Sequence, residues 1–383
     1  MKKLGYLLFA WIYNLCAICC REQKKILFFN GHAYALNGNL QVMYERMQQI
    51  APDYHYITCS KRQLFTDQNG NGRPLLQKVK GCLTFFLQLP YHMATAEKVF
   101  FNDNFIPLAY MHTSSRRTQF VQLWHGAGAF KKFGLSTEQN PQVCKLVTRA
   151  NRNITHLFVT SEQVIPYYQE AFGISRDKIY ATGVPVTDQY FDPAWVEKSK
   201  QNFYQAYPAL QGKKIILFAP TFRAGQDENE KILKQFSANE IHEILGDEWI
   251  ILIKMHPKYP AENIVETKFC LDMTHYYDIS ELYLVSDILI TDYSSTVVEY
   301  ALLQKPVIMF AYDLEQYDRG FYRSYEETAP GDIAYSWQEL MHYLTQKRDN
   351  VAKRQTFVKL QYDYMDGKSV ERIINILNDA SVM

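Results

Sequence analysis

The chain carries almost no net charge: 41 Lys and Arg stand against 40 Asp and Glu in 383 residues. That balance excludes a global basic field of the kind that draws a protein onto nucleic acid, so any cationic site has to be local. Metal-binding cysteine spacing is also missing. Cys16, Cys19, Cys20, Cys59, Cys82, Cys144 and Cys270 are odd in number and lie mostly in apolar runs, and no histidine or further cysteine pair follows the first three at finger-like distance. Free thiols in a reducing compartment are expected, with neither a metal nor a cofactor. The sequence has no internal repeat and no low-complexity tract. Its length exceeds that of a single core, which predicts two domains.

One long apolar run is present, at the N-terminus: "MKKLGYLLFAWIYNLCAICCREQKK". It has no A-x-A-like cleavage site, and from Leu4 to Cys20 it is at the short end for a bilayer span. Lysines and Arg21 flank it, and Tyr6, Trp11 and Tyr13 punctuate it. Two readings remain: a helix lying in a membrane interface, or a core helix of the first domain.

Beyond residue 23 short apolar runs alternate with helical spacing. "KKILFFN", "YHYITC", "KVFFND", "QFVQLWH", "HLFVTS" and "KIYATGVP" are brief and bounded by polar residues or glycine, as buried parallel strands are. Helices are predicted over 39–50 and over 162–173, the latter ending in Gly173. The polar, aromatic stretch 192–212 interrupts the pattern. It resumes with "KKIILFAPTFR", "WIILIKMHP", "DILITDYSS" and "KPVIMFA", and a helix is predicted to start at a Ser/Thr cap in "STVVEYALLQ". The fold expected is α/β, with two Rossmann-like domains. Its parts are an apolar helix over 1–23, a first domain over 24–190, a linker over 191–212, a second domain over 213–350, and C-terminal helices over 351–383.

In open α/β sheets ligands bind beyond the carboxyl ends of strands, and polar residues gather at four of those ends here. The first releases Trp124, His125 and Gly126; the second Thr221 and Arg223; the third His256, Pro257 and Lys258; the fourth Asp292, Ser294, Ser295 and Thr296. Serines at a helix start suit a phosphate, although Ser295 as an ordinary N-cap explains the same residues. Arg223 offers a planar fork for phosphate oxygens, and His256 a further donor. Glu299 either reads a vicinal diol such as a ribose or is a solvated helix residue.

"QLWHGAGAFKKFG", "ILFAPTFR", "IKMHPKY" and "DISELYLVSDILITDYSSTVVEYALLQKPVIMFAYDLEQYDRGFY" resemble, in order, the motifs of the CDP-glycerol glycerophosphotransferase family of teichoic acid primases and polymerases. The resemblance implies a GT-B fold, two Rossmann-like domains facing a central cleft, with the second holding the CDP-activated donor. It implies transfer of glycerol phosphate from CDP-glycerol to a hydroxyl of a membrane lipid-linked acceptor with release of CMP, in the manner of a primase. The alternatives are a CDP-ribitol enzyme and a GT-B glycosyltransferase. By the same resemblance His125 is the general base, and His256 acts with Arg223, Thr221 and the Ser294, Ser295, Thr296 helix end on the donor diphosphate. Glu299 would bind the donor, Asp292 would shape the turn, and Trp124, Gly126, Lys131 and Lys132 would meet the acceptor. A peripheral position on the cytoplasmic face of the cell membrane follows. The chain departs from many family members in having Ala127 and Gly128 after the W-H-G triplet.

Overall fold

Continuous apolar runs bury both faces of a strand, and such strands pair in parallel beneath helices. The computed structural model describes residues 2–67, 71–113, 118–223, 226–256 and 264–379. The chain forms two compact units, one of residues 1–128, 133–188 and 366–383, the other of residues 129–132 and 189–365.

The first unit is built on β1 Gln23–Asn30, β2 His55–Ser60, β3 Ala96–Phe101, β4 Gln119–Gln122, β5 His156–Val159 and β6 Ile179–Ala181, ordered β2-β1-β3-β4-β5-β6. Every pairing is parallel. Phe28 and Phe100 fix the β1/β3 register as direct partners with rings stacked 4.8 Å apart. Helix Gly38–Ile50 lays Leu40, Met43 and Met47 on one face, joined there by Val370, Ile373 and Leu377 of helix Ser369–Asn378. Helix Ile165–Phe172 ends at Gly173, whose φ of 63° lets its N–H close on the Gln169 carbonyl at 2.8 Å.

The N-terminal helix spans Lys2–Cys19 and has two faces. Phe9 and Tyr13 are buried, with Phe9 against the rings of Phe85 and Phe105, while Leu4, Leu7, Leu8, Trp11, Leu15 and Ile18 are exposed. The buried side matches the reading of a core helix of the first domain. Among the described residues no helix is long and apolar enough to cross a membrane. A second exposed apolar series, Leu75, Leu76, Val79, Leu83 and Leu87, runs along helix Leu75–Leu83 and the following π-turn Thr84–Gln88. This turn lies beside the first helix, with Phe86 in contact range of Gly5.

The second unit holds β7 Lys214–Phe218, β8 Trp249–Ile253, β9 Cys270–Asp272, β10 Ile288–Thr291, β11 Val307–Phe310 and β12 Asp332–Ala334, ordered β12-β11-β10-β7-β8-β9 and again wholly parallel. The edge strands β9 and β12 are three residues each, too short to leave a periodic pattern in the sequence. Helix Pro193–Ala206, in the stretch read as a linker, groups with this unit and buries Phe203.

Helix Ser369–Asn378 returns to the first unit, where Asp188 receives it: the carboxylate accepts the Ser369 and Val370 N–H groups, each at 2.9 Å. Asp188→Ala removes both acceptors from a helix start, and urea unfolding should show a loss of about 1–2 kcal/mol, the usual worth of an N-terminal cap. An unchanged midpoint would mean that the apolar face alone holds the helix.

Candidate functional site

In a parallel sheet the point where strand order reverses separates two neighbouring loops and opens a crevice at their carboxyl ends. In the first unit the reversal lies between β1 and β3. Beyond β1 comes His32 and beyond β3 come Asn102 and Asp103, with His32 Nδ1 2.7 Å from Asp103 Oδ2. His125 emerges from the adjacent β4, and its Nδ1 lies 3.2 Å from the Asn102 carbonyl. A carbonyl can only accept, so Nδ1 carries the proton and Nε2 keeps its lone pair. The ring remains accessible to solvent. Desolvation by the surrounding protein holds its pKa below the ordinary imidazole value, assisted by His32 and opposed by Asp103 and the Asn102 hydrogen bond. A neutral imidazole with an available Nε2 is the form a general base requires.

The residue before it is unusual. Trp124 has φ 54°, a left-handed conformation that costs a bulky side chain about 1–3 kcal/mol. Its ring lies 4.1 Å from that of His125 and also contacts Phe133 and Phe172. Gly126 has open space where a Cβ would stand.

The second unit reverses between β7 and β10, and Thr221, Arg223, Asp292, Ser294 and Ser295 sit at those two strand ends, while His256 follows β8. Asp292 accepts the backbone N–H of Thr221 at 2.7 Å and of Tyr293 at 2.5 Å, joining the two loops and shaping the turn. Arg223 was expected to present an open fork to phosphate. It is instead 8% exposed, pairs with Asp292 at 2.9 Å and Asp313 at 3.0 Å, donates to the Thr221 carbonyl, and lies over the rings of Tyr293 and Tyr317. Burial works against its charge, but Asp292 and Asp313 outweigh that and hold its pKa above the ordinary guanidinium range. Two carboxylates thus occupy the fork, and Arg223 pins the loops together.

Helix Thr296–Leu302 begins without a side-chain cap: Ser295 is exposed and makes no capping bond, contrary to the cap expected there. The turn closes instead through Val297 and Val298 N–H bonds to the Ser294 and Ser295 carbonyls, with a long bond from Thr296 N–H to Ser294 Oγ. Thr221 is buried, and its hydroxyl oxygen has no hydrogen-bond partner among the described residues. An unsatisfied polar atom at a switch point suits a ligand oxygen. Glu299 is not a solvated helix residue. It is half-buried, with the Tyr190 hydroxyl 2.9 Å from Oε2, and burial pushes its pKa up to about 7 despite that bond, with Asp278 adding to the rise. His256 is exposed, its ring 5.2 Å from that of Phe222; Pro257 and Lys258 lie outside the described residues.

Lys131 and Lys132, expected beside the acceptor residues Trp124 and Gly126, group with the second unit. The physical reason is backbone pairing: Lys131 bridges Phe321, and Lys132 N–H donates to the Gly320 carbonyl at 3.1 Å. Lys131 is half-buried, and burial followed by repulsion from Arg319 lowers its pKa to about 8, against the pull of Asp292. The sequence reading missed His32, Asp103 and Asp313. The first two were signalled by strand ends, in "FFNGH" and "FFND", of the same kind as the four that it used.

The sequence family described as CDP-Glycerol:Poly(glycerophosphate) glycerophosphotransferase matches residues 12–379. A teichoic acid poly(ribitol-phosphate) polymerase of Bacillus spizizenii is 33% identical over 381 residues, covering 98% of this chain and 59% of the relative. The teichoic acid ribitol-phosphate primase of the same organism is 30% identical over 95% of this chain and 93% of its own length. A teichoic acid glycerol-phosphate primase of Bacillus subtilis is 30% identical over 76% of this chain and 77% of its own. Among solved structures, the wall teichoic acid polymerase TagF superposes with a TM-score of 0.76 at 24% identity, covering 96% of this chain and 92% of that one, which gives the two-sheet architecture as GT-B-like.

Two measurements check these assignments. Arg223→Ala leaves two buried carboxylates uncompensated, so it should lower stability by about 3–5 kcal/mol in chemical denaturation; wild-type stability would return the guanidinium to the role of a ligand. Glu299 binds its proton more tightly folded, near pH 7, than unfolded, near the usual carboxylate value. Its favourable contribution is therefore complete at pH 4 and is lost as pH rises through 7. Glu299→Gln should remove that part of the stability decline between the usual carboxylate value and about pH 7, and superimposable pH profiles would contradict it.

Proposed function

The chain belongs to the CDP-glycerol:poly(glycerophosphate) glycerophosphotransferase family, and on that premise we propose that it is a CDP-polyol phosphotransferase of teichoic acid or related cell-envelope polymer synthesis. It transfers a polyol phosphate to a hydroxyl of a lipid-linked acceptor and releases CMP. The observation that carries this reading is His125, whose Nδ1 proton is committed to the Asn102 carbonyl so that Nε2 is available as a base. The acceptor hydroxyl loses its proton to Nε2 as its oxygen attacks the phosphorus bearing the polyol. The bond from that phosphorus to the CMP oxygen breaks, and CMP carries away the electron pair.

Metal and covalent intermediate are not needed for this balance. What the step requires is a held diphosphate, and the supports are the Thr221 hydroxyl, the Ser294, Ser295, Thr296 turn and His256, with Glu299 toward the ribose diol. Arg223 contributes through the shape of the loops. Lys131, which lacks an ion-pair partner within 4 Å among the described residues, belongs on this donor side.

For the polyol, the leading reading is glycerol, which the family description names. A ribitol reading stands beside it, because the ribitol-phosphate relatives align over 93–98% of the chain and the glycerol-phosphate primase of Bacillus subtilis over 76%. The acceptor side approaches a lipid surface through the exposed faces of helices Lys2–Cys19 and Leu75–Leu83, which exposed Lys3, Lys78 and Lys80 accompany.

His125→Ala should lower CMP release by roughly a hundredfold to ten-thousandfold while CDP-polyol affinity and melting temperature stay near wild type. A stable variant turning over at the wild-type rate would end the assignment. Supplying CDP-glycerol and CDP-ribitol in separate reactions decides the polyol, and a nucleoside diphosphate product would point to sugar transfer instead. Trp11→Glu with Leu76→Glu should abolish sedimentation with anionic vesicles and leave turnover on a soluble acceptor intact; undiminished sedimentation would place the membrane face elsewhere.

A further inference from the structure

Trp124 combines two features that normally exclude one another. Its backbone adopts φ 54°, where glycine would be at ease, yet its indole is used, tilted against the His125 ring with centroids 4.1 Å apart and held by Phe133 and Phe172. Nothing in a tryptophan favours that conformation, so the surroundings must impose it. Two buried amides do so. Asn39, 2% exposed in the first turn of helix Gly38–Ile50, donates through Nδ2 to the carbonyls of both Leu123 and Trp124, each at 3.1 Å, and accepts the Val186 N–H through Oδ1 at 2.9 Å. Gln122, fully buried, accepts the Trp124 N–H at 2.8 Å and donates to the Asp103 carbonyl at 3.0 Å. The peptide groups on either side of the Trp124 Cα are thereby fixed before the chain reaches His125.

We propose that Asn39, with Gln122 opposite, is a positioning residue for His125: it locks the left-handed turn at Trp124 that aims the imidazole with Nδ1 on the Asn102 carbonyl and Nε2 outward. Asn39 lies 86 residues from His125 in the chain and touches no reacting atom. It acts by denying the strained turn its relaxation: the bond to the Leu123 carbonyl holds the peptide before Trp124, and the bond to the Trp124 carbonyl would be lost from a buried amide if Trp124 returned to an extended or right-helical φ. This rests on the reading of His125 as the base.

The test is kinetic, on the full chain with CDP-glycerol or CDP-ribitol, whichever the protein uses. Asn39→Asp keeps the size and the acceptor for Val186 but turns a carboxylate toward two carbonyl oxygens. It should lower kcat roughly a hundredfold, the cost of displacing a catalytic group by about an ångström, with the KM for the donor unchanged. Gln122→Met, which removes the acceptor of the Trp124 N–H and the donor to the Asp103 carbonyl without adding charge, should show the same pattern more weakly and carries the test if Asn39→Asp does not fold. In a Trp124→Gly background, where the turn is unstrained, the kcat cost of Asn39→Asp should shrink at least several-fold. Equal cost in both backgrounds, or parallel loss of kcat and donor affinity, overturns the inference. Wild-type kcat in the Asn39 and Gln122 variants alongside an inactive His125→Ala would refute positioning alone, whereas an active His125→Ala would refute the base itself.

Discussion

Parallel pairing is the constraint from which the rest follows. Because every strand of each sheet runs the same way, all carboxyl ends open along one edge, and each crossover must leave and return over a face covered by helices. The crevices for polar side chains open where the order reverses, between β1 and β3 in one unit and between β7 and β10 in the other. His32, Asp103 and the neighbouring His125 gather at the first, Thr221, Arg223, Asp292 and Ser294 at the second.

The two reversal points are stiffened by different means. In the second unit the device is charge: Arg223 lies between Asp292 and Asp313 against two tyrosine rings, and Asp292 also holds the backbone of both loops. A buried ion pair of this kind adds little net stability but makes any rearrangement that separates the charges costly. In the first unit the device is a neutral clamp on a strained peptide, with Asn39 and Gln122 gripping Trp124. A charge clamp there would have placed fixed charges beside the imidazole and moved its pKa. Neutral amides fix its direction and leave its titration to burial, Asp103 and His32.

Much of the fold was legible because burial writes itself into short segments. "KKILFFN" and "KKIILFAPTFR" announce strands by continuous apolar runs, and Gly173 announces a helix end. The candidate site was legible in part. His125 and the serine turn stand in compact motifs, whereas His32 and Asp103 come from strand ends 71 residues apart whose adjacency depends on β1 pairing with β3. Strands β9 and β12 escaped notice because each is only three residues long and includes an aspartate, Asp272 and Asp332, in place of a continuous apolar run.

The sequence by itself determined the alternation of strands and helices, the chemical types available at the strand ends, and the family motifs, because these depend on neighbours within a few residues. Only the tertiary structure decided what those groups face. It turned Arg223 from an open fork into a pin, since its carboxylate Asp313 lies 90 residues away. It assigned Lys131 to the second unit through a bridge to Phe321, and it gave Glu299 a raised pKa through burial beside Tyr190. The same holds for Trp124, whose left-handed φ is invisible in its own residue type and whose carbonyl is bonded by Asn39 of helix Gly38–Ile50. Burial, charge pairing and backbone strain are properties of contacts between distant segments, and a linear pattern of residue types does not contain them until the chain has folded.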